Sequence, residues 1–232
     1  MRVGLLGGTF NPVHTGHVRL AVEVLEAAGL DRVELVPAGV PPHKPGVGLL
    51  PFALRADLCR AAVEGAPGLA VNPLEGDRPG PSYTIETLRR LAASRPGDEF
   101  FFILGMGEFL VLHEWREGLR LPEFVHLVAA SRAGVEPEAE FRLAAQEWAQ
   151  RYAGRHWPGI RLTGPGQWLL PTGRRLLFLD VPRLDICASL VRSRFLAGRS
   201  LCGLVPPGVE RLLAGRADEV RAVWELAGNG AA

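Results

Sequence analysis

Lysine is nearly missing from this chain. Of 26 basic residues among 232, 25 are arginine and a single one, Lys44, is lysine. Base composition and heat adaptation both produce such a bias, and the sequence does not separate them. The one surviving Lys44 fits either a compact ammonium kept as a contact or chance survival of the drift to arginine. Cysteine is scarce as well: Cys59, Cys187 and Cys202 are an odd number in a chain of this size. That leaves no disulfide framework and fits a reduced, cytoplasmic setting. Charge of one sign is lacking too, the formal net charge being +1, so no basic footprint points to nucleic acid or to an anionic membrane. No apolar run has the length needed to span a bilayer. The apolar start is too short for a signal peptide and runs straight into a glycine turn.

What is present is a full core's worth of apolar residues, 47% of the chain, enough for one large domain with an elaboration. The first seventeen residues organise the rest. Arg2 to Leu6 is an apolar run suited to a buried parallel strand, Gly7-Gly8 permits a turn that a Cβ would obstruct, and Gly16-His17 opens a stretch with helical periodicity. Strand, glycine turn, helix is an arrangement that aims backbone N–H groups and the positive end of a helix at one place, where phosphate is favoured. His14 and His17 stand at that helix entrance. Gly-Gly is common in α/β turns of every kind, and His-x-x-His can also be a metal pair on one helical face. With no cysteine or carboxylate nearby, a zinc site is the poorer reading, and no protein metal site is expected.

Along the chain, Val18 to Ala28 has helical spacing and Gly29 is its stop. Arg32 to Val36 is a second strand, completing a right-handed βαβ unit. The proline-rich stretch Pro37 to Gly46 is then a loop at the C-terminal end of a strand, where open parallel sheets bind ligands. Its Pro41-Pro42-His43-Lys44 suits either a phosphate contact or a rigid solvated loop. Phe52 to Gly65 reads as a helix carrying Arg55, Leu69 to Asn72 as a short strand, and Ser82 or Thr84 as the cap of a helix to about Ser94. Glu99 to Leu104 is the strongest strand and ends at Gly105. Helical residues from Met106 lead to Trp115, and Val125 to Ala130 and Leu176 to Leu179 are further strands. Residues 134–175 form an elaboration: a charged amphipathic helix at 136–152, then a segment rich in Gly, Pro and Trp. Trp148, Trp157 and Trp168 suit either a packed cluster or a contact between copies in a homo-oligomer. Residues 187–232 form a helical C-terminal subregion. The expected fold is α/β, Rossmann-like and doubly wound, with a mainly parallel sheet and flanking helices, in one domain over 1–232.

Gly-Gly-Thr-Phe-Asn-Pro-Val-His-Thr-Gly-His resembles the signature of nucleotidyltransferases that move an adenylyl or cytidylyl group, with Asn11 where the family usually has Asp. Three further segments resemble the nicotinate-nucleotide adenylyltransferase branch: Pro-Pro-His-Lys, Gly-Pro-Ser-Tyr-Thr-x-x-Thr-Leu, and Trp115 ten residues after Gly105. Ile186-Cys-Ala-Ser-Leu-Val-Arg192 resembles the superfamily's second signature, Ile-Ser-Ser-Thr-x-Ile-Arg, retaining a hydroxyl at Ser189 and the arginine. Ser189 and Arg192, three apart, share a helical face. Leu204 to Leu213 resembles the family's closing helix.

The resemblance implies an enzyme that transfers the adenylyl group of ATP to nicotinate mononucleotide, giving deamido-NAD and pyrophosphate. His14 and His17 would be catalytic. Gly7, Gly8, Thr9, Phe10, Gly105, Ile186, Ser189 and Arg192 would bind ATP. Lys44, Ser82, Tyr83, Thr84 and Trp115 would bind the nicotinate nucleotide, with Trp115 stacked on its ring. Magnesium would arrive bound through the ATP phosphates. Gly107 stands where the family usually has Asp, and Glu108 next to it points about 100° away on a helix. The alternatives are an adenylyltransferase using phosphopantetheine or nicotinamide mononucleotide as acceptor, and a non-catalytic nucleotide sensor. A dinucleotide-dependent dehydrogenase lacks its Gly-x-Gly-x-x-Gly spacing here.

Overall fold

The computed structural model describes residues 1–42, 47–133 and 154–228. In chain order these contain β1 (Arg2–Gly8), α1 (Thr15–Ala27), β2 (Arg32–Pro37), α2 (Phe52–Val63), β3 (Leu69–Val71), α3 (Thr84–Ser94), β4 (Glu99–Gly105) and α4 (Met106–Leu110). There follow β5 (His126–Ala133), β6 (Arg161–Gly164), β7 (Gln167–Leu169), β8 (Arg175–Pro182), α5 (Ala188–Leu196), α6 (Pro207–Gly215) and α7 (Ala217–Gly228). Among the described residues no helix is long and apolar enough to cross a membrane. The chain divides into two compact units, one of Met1–Leu6, Val22–Val33 and Thr84–Leu184, the other of Gly7–Ala21, Glu34–Tyr83 and Asp185–Ala232.

The first unit is built on a sheet with strand order β1-β4-β5-β8-β7-β6. β1, β4, β5 and β8 run parallel, with Leu5 opposite Phe102, Phe102 opposite Leu127, and Leu127 opposite Leu176. Phe100 to Leu104 are all buried, the unbroken apolar run expected of a strand covered on both faces. Gly4 is a glycine for packing reasons: a Cβ there would lie 2.8 Å from Val33 Cγ2 and 2.9 Å from Leu30 Cδ1. α1 ends as its sequence predicts, with Gly29 at φ 58° and the Leu30 amide donating to Leu25 O at 2.9 Å, a left-handed glycine stop.

Two expectations change in this unit. The path from Met106 to Trp115 is not one helix: α4 stops at Leu110, Leu112–Glu114 is a single 3-10 turn, and Trp115 is extended. Phe109 and Leu112, three apart, are both 1% exposed, a spacing the tighter turn matches. The glycine-rich stretch after residue 154 holds an antiparallel hairpin, β6 on β7, joined antiparallel to β8. Gly166, at φ 65°, makes its turn, and the Phe178 amide donates to Gly166 O at 2.8 Å. Strands of three and four residues are too short to show an alternating pattern, so the sequence does not announce them. Trp157 is buried and its indole N–H donates to Leu119 O at 2.9 Å. The helix expected at 136–152, with Trp148, lies outside the described residues.

The second unit pairs β2 with β3 and packs α2 closely against α6. A Cβ on Gly208 would come within 2.7 Å of Ala61 O. Val191, Val209, Leu213, Val220 and Trp224 bury the inner faces of the three C-terminal helices, and Phe195 meets Trp224 edge to face at 5.3 Å.

Candidate active site

In the second unit β1 ends in Gly7-Gly8, and the Ala38 amide donates to Gly8 O at 2.8 Å. Phe10 follows at φ 48° and is 2% exposed. A Cβ on Gly8 would come within 2.9 Å of the Phe10 ring, so glycine is what lets that ring fold back under the turn. The ring meets His17 edge-on at 5.0 Å. His14, 3% exposed, stacks on His17 with centroids 3.7 Å apart. A Cβ at Gly16 would lie 3.1 Å from His14 Nδ1, a tight contact that the His14 ring would have to yield to. The His14 amide donates to His17 Nδ1 at 3.2 Å. An accepting Nδ1 leaves the proton of a neutral imidazole on Nε2, making His17 a donor there.

The second motif joins the first through Asn11. Arg192, on α5, donates from Nη1 to Asn11 O at 2.8 Å. The Asn11 side chain donates from Nδ2 to Gly48 O at 2.7 Å and accepts from the Leu50 amide at 3.0 Å and the Trp224 indole at 3.4 Å. An ionised aspartate accepts but does not donate. The amide at this departure from the signature is therefore matched to the Gly48 carbonyl. The Thr15 amide, at the start of α1, donates to Leu204 O at 2.9 Å, so the C-terminal tail also rests on the signature. Cys187 is the N-cap of α5 and makes no side-chain cap bond. Its Sγ lies 3.0 Å from Ser189 Oγ. That hydroxyl first, and the Leu190 amide next, pull the Cys187 thiol below its ordinary pKa. Burial lowers the pKa of the Arg192 guanidinium.

Arg55 is the site feature that sequence reasoning missed beyond its helix assignment. It is 1% exposed and donates to three main-chain carbonyls: Leu50 O from Nε at 2.9 Å, Thr9 O from Nη1 at 2.8 Å and Gly39 O from Nη2 at 2.9 Å. In the sequence it is one of two arginines, with Arg60, on a helix that also carries Asp57, and nothing local distinguishes it. Ser82 is buried; its hydroxyl accepts from the Val40 amide at 3.2 Å, and its own amide donates to Val40 O at 2.8 Å. Thus the structure brings Gly7, Gly8, Thr9, Phe10, His14, His17, Ser82, Tyr83, Ile186, Ser189 and Arg192 into one unit. His43 and Lys44 lie outside the described residues.

Thr84, Gly105 and Trp115 belong to the first unit. Thr84 begins α3. Gly105 ends β4, and a Cβ there would meet nothing within 4 Å, so the protein's own packing does not demand glycine at that point. The same openness holds at Gly107, and Glu108 is exposed on α4. Trp115 is half-buried, its ring edge-on to Phe102 at 6.4 Å. The turn carrying it is tied down on its far side. Gly118 admits no Cβ against Leu112 O, and Arg89 of α3 donates to both Glu117 carboxylate oxygens, at 3.2 and 2.6 Å. That fork holds the Glu117 carboxyl below its usual range.

A model of the cytidylyltransferase-like family matches residues 5–194. The probable nicotinate-nucleotide adenylyltransferase of Geobacter sulfurreducens is 39% identical over 213 residues, covering 92% of this chain and 95% of that one. That of Geobacter metallireducens is 38% identical over 222 residues, covering 90% and 94%. Among solved structures, a Plasmodium falciparum nicotinic acid mononucleotide adenylyltransferase complexed with NaAD aligns with a TM-score of 0.67 at 13% identity. It covers 94% of this chain and 97% of that chain, a likeness in fold: a mainly parallel, Rossmann-like sheet with flanking helices. On its sequence, and with a fold that agrees, this chain belongs to the nicotinate-nucleotide adenylyltransferases of the cytidylyltransferase-like family.

Proposed function

We propose that this protein transfers the adenylyl group of ATP to nicotinate mononucleotide, releasing pyrophosphate and deamido-NAD. The observation that carries this reading is the stacked His14–His17 pair at the glycine turn, joined to Arg192 through the Asn11 carbonyl. An oxygen of the mononucleotide's phosphate attacks the α-phosphorus of ATP in line, and the bond from that phosphorus to the bridging oxygen of the β-phosphate breaks. No covalent enzyme intermediate is needed, so catalysis rests on positioning and on stabilising developing charge. Gly7 to Phe10 cradle the nucleotide phosphates. His17, donor at Nε2, and His14 meet the reacting phosphate, while Ser189 and Arg192 hold the departing β,γ-phosphates. Ile186, at the start of the second motif, and Gly105 line the ATP, and the open space a Cβ would find at Gly105 suits close approach of a ligand.

For the acceptor we assign Lys44, Ser82, Tyr83 and Thr84, with the Trp115 ring stacked on the pyridine. Magnesium fits as a companion of ATP: the groups assigned to the phosphates are imidazoles, a hydroxyl and a guanidinium, with no carboxylate among them. When bound through phosphate oxygens and waters it screens their charge. Cys59, Cys187 and Cys202 are all free thiols, which supports a cytoplasmic enzyme. We read residues 1–232 as one nucleotidyltransferase domain, in keeping with a family match that runs unbroken over residues 5–194.

The test is pyrophosphate release from ATP and magnesium with nicotinate mononucleotide, nicotinamide mononucleotide and phosphopantetheine in parallel. Strong preference for the first is expected. Preference for either of the others would move the protein to a different branch.

A further inference from the structure

Arg55 is buried without a side-chain carboxylate among its hydrogen-bond partners; its guanidinium is spent on the carbonyls of Leu50, Thr9 and Gly39. Burial lowers its pKa, with the Glu75 carboxylate opposing, so this cation is held at a cost that an apolar side chain would avoid. Such an expense makes sense where a precise arrangement is gained. Thr9 lies in the nucleotide signature. Gly39 lies in the loop after β2, and its other polar group is held too, since the Gly39 amide donates to Glu75 Oε2 at 3.2 Å. No side chain fits at this position: a Cβ would lie 2.4 Å from Glu75 O and 3.0 Å from Ser82 Oγ. One residue on, Val40 and Ser82 exchange hydrogen bonds in both directions. A continuous path therefore runs from Thr9 through Arg55 to Gly39, then through Val40 to Ser82, all within the second unit.

We propose that Arg55 is a positioning residue that sets the spacing between the ATP-binding turn at Thr9 and the acceptor-binding segment at Ser82. The proposal rests on the functional reading above, which places ATP at the first segment and the nicotinate nucleotide at the second. Three carbonyls reached at 2.8 to 2.9 Å from Nε, Nη1 and Nη2 suit a guanidinium fork, whereas an ammonium at the same place is a point donor on a flexible stem. Each substrate can bind its own segment without the clamp. What the clamp supplies is alignment of the attacking oxygen with the α-phosphorus when both are bound, and a displacement of about 1 Å there costs about a hundredfold in rate.

The experiment compares wild type with Arg55→Lys and Glu75→Gln at a temperature well below each variant's measured melting midpoint. Turnover at saturating substrates and equilibrium binding of ATP alone are read for each. Arg55→Lys is expected to lower kcat about a hundredfold while the Kd for ATP stays within about threefold. Glu75→Gln, which keeps the shape and an acceptor for the Gly39 amide, is expected to give the same signature in milder form, about five- to tenfold in kcat. Arg55→Lys with wild-type kcat and only a lowered melting midpoint would make Arg55 a purely structural residue and overturn the proposal. So would a rise in ATP Kd that accounts for the whole loss. If Arg55→Lys does not fold, Glu75→Gln decides, and wild-type kcat in that variant overturns the proposal. Should the wild type prefer another acceptor, the functional reading fails, and the same ratios are read with the acceptor it does use.

Discussion

Two regions of this molecule bury histidine, and they do so for different ends. His126, in the first unit, is 4% exposed; its Nδ1 accepts from the Arg175 amide at 2.8 Å, its ring stacks on Phe101 at 4.5 Å, and Glu99 Oε1 lies 2.9 Å from Nε2. These partners come from β4 and β8, the two strands that flank the one His126 begins. His14 and His17, in the second unit, stack on each other, with the Phe10 ring edge-on to His17 and the His14 amide donating to His17 Nδ1. An imidazole fixed by the strands on either side of its own is a piece of the fold. One oriented by its own motif, beside a glycine turn, is the kind of group that the proposed function assigns to a ligand.

The largest effect expected from this contrast is on turnover. His17→Ala should lower kcat by about 10² to 10³ and leave the melting midpoint near that of wild type, since a donor to developing charge contributes that much. Paired kcat and thermal-melting measurements check it. Near-normal turnover would put His17 in the same structural class as His126.

The next effect is on stability against pH. Burial outweighs the Glu99 carboxylate and pushes His126 down to about 4, whereas an imidazole in the unfolded chain titrates near 6.5. Between those values the unfolded chain takes up a proton that the folded one refuses. The stability is therefore full above about pH 6.5 and is lost as pH falls toward 4, by about 3 kcal/mol. Denaturant unfolding at a series of pH values should show that slope in wild type, and His126→Asn, whose amide oxygen stands near the Nδ1 that accepts from Arg175, should flatten it. His17→Ala should leave it in place.

The smallest effect concerns Asn11. Asn11→Asp restores the usual residue of the signature but replaces the donor 2.7 Å from Gly48 O with an acceptor. It should cost about 1 to 2 kcal/mol, read as a shifted denaturant midpoint. An unchanged midpoint would mean that the 47–50 segment re-forms its bonds around a carboxylate.

What was legible in the sequence follows the same division. The glycine turn, the paired histidines, the Gly29 stop and the apolar strand from Phe100 to Leu104 are local patterns, and each took the form its spacing implied. The roles of Arg55 and Asn11 were not legible, because their partners lie in distant segments, 46 residues away from Arg55 at Thr9 and 213 away from Asn11 at Trp224, and most of them are main-chain groups that any residue type can supply. The hairpin at Arg161–Leu169 was hidden for another reason: its strands are shorter than one clear alternation, and it gains its place by pairing with β8. The break after Leu110 likewise answers to burial of Phe109 and Leu112 rather than to any helix-stopping residue.

The most direct test of the central claim is chromatographic analysis of products when ATP, magnesium and nicotinate mononucleotide are incubated with the wild-type protein. Deamido-NAD and pyrophosphate should appear in equal amounts, and His17→Ala, still folded, should form both at least a hundredfold more slowly. ATP bound but unchanged in the wild-type reaction would contradict the account and leave a nucleotide-binding protein without transfer activity.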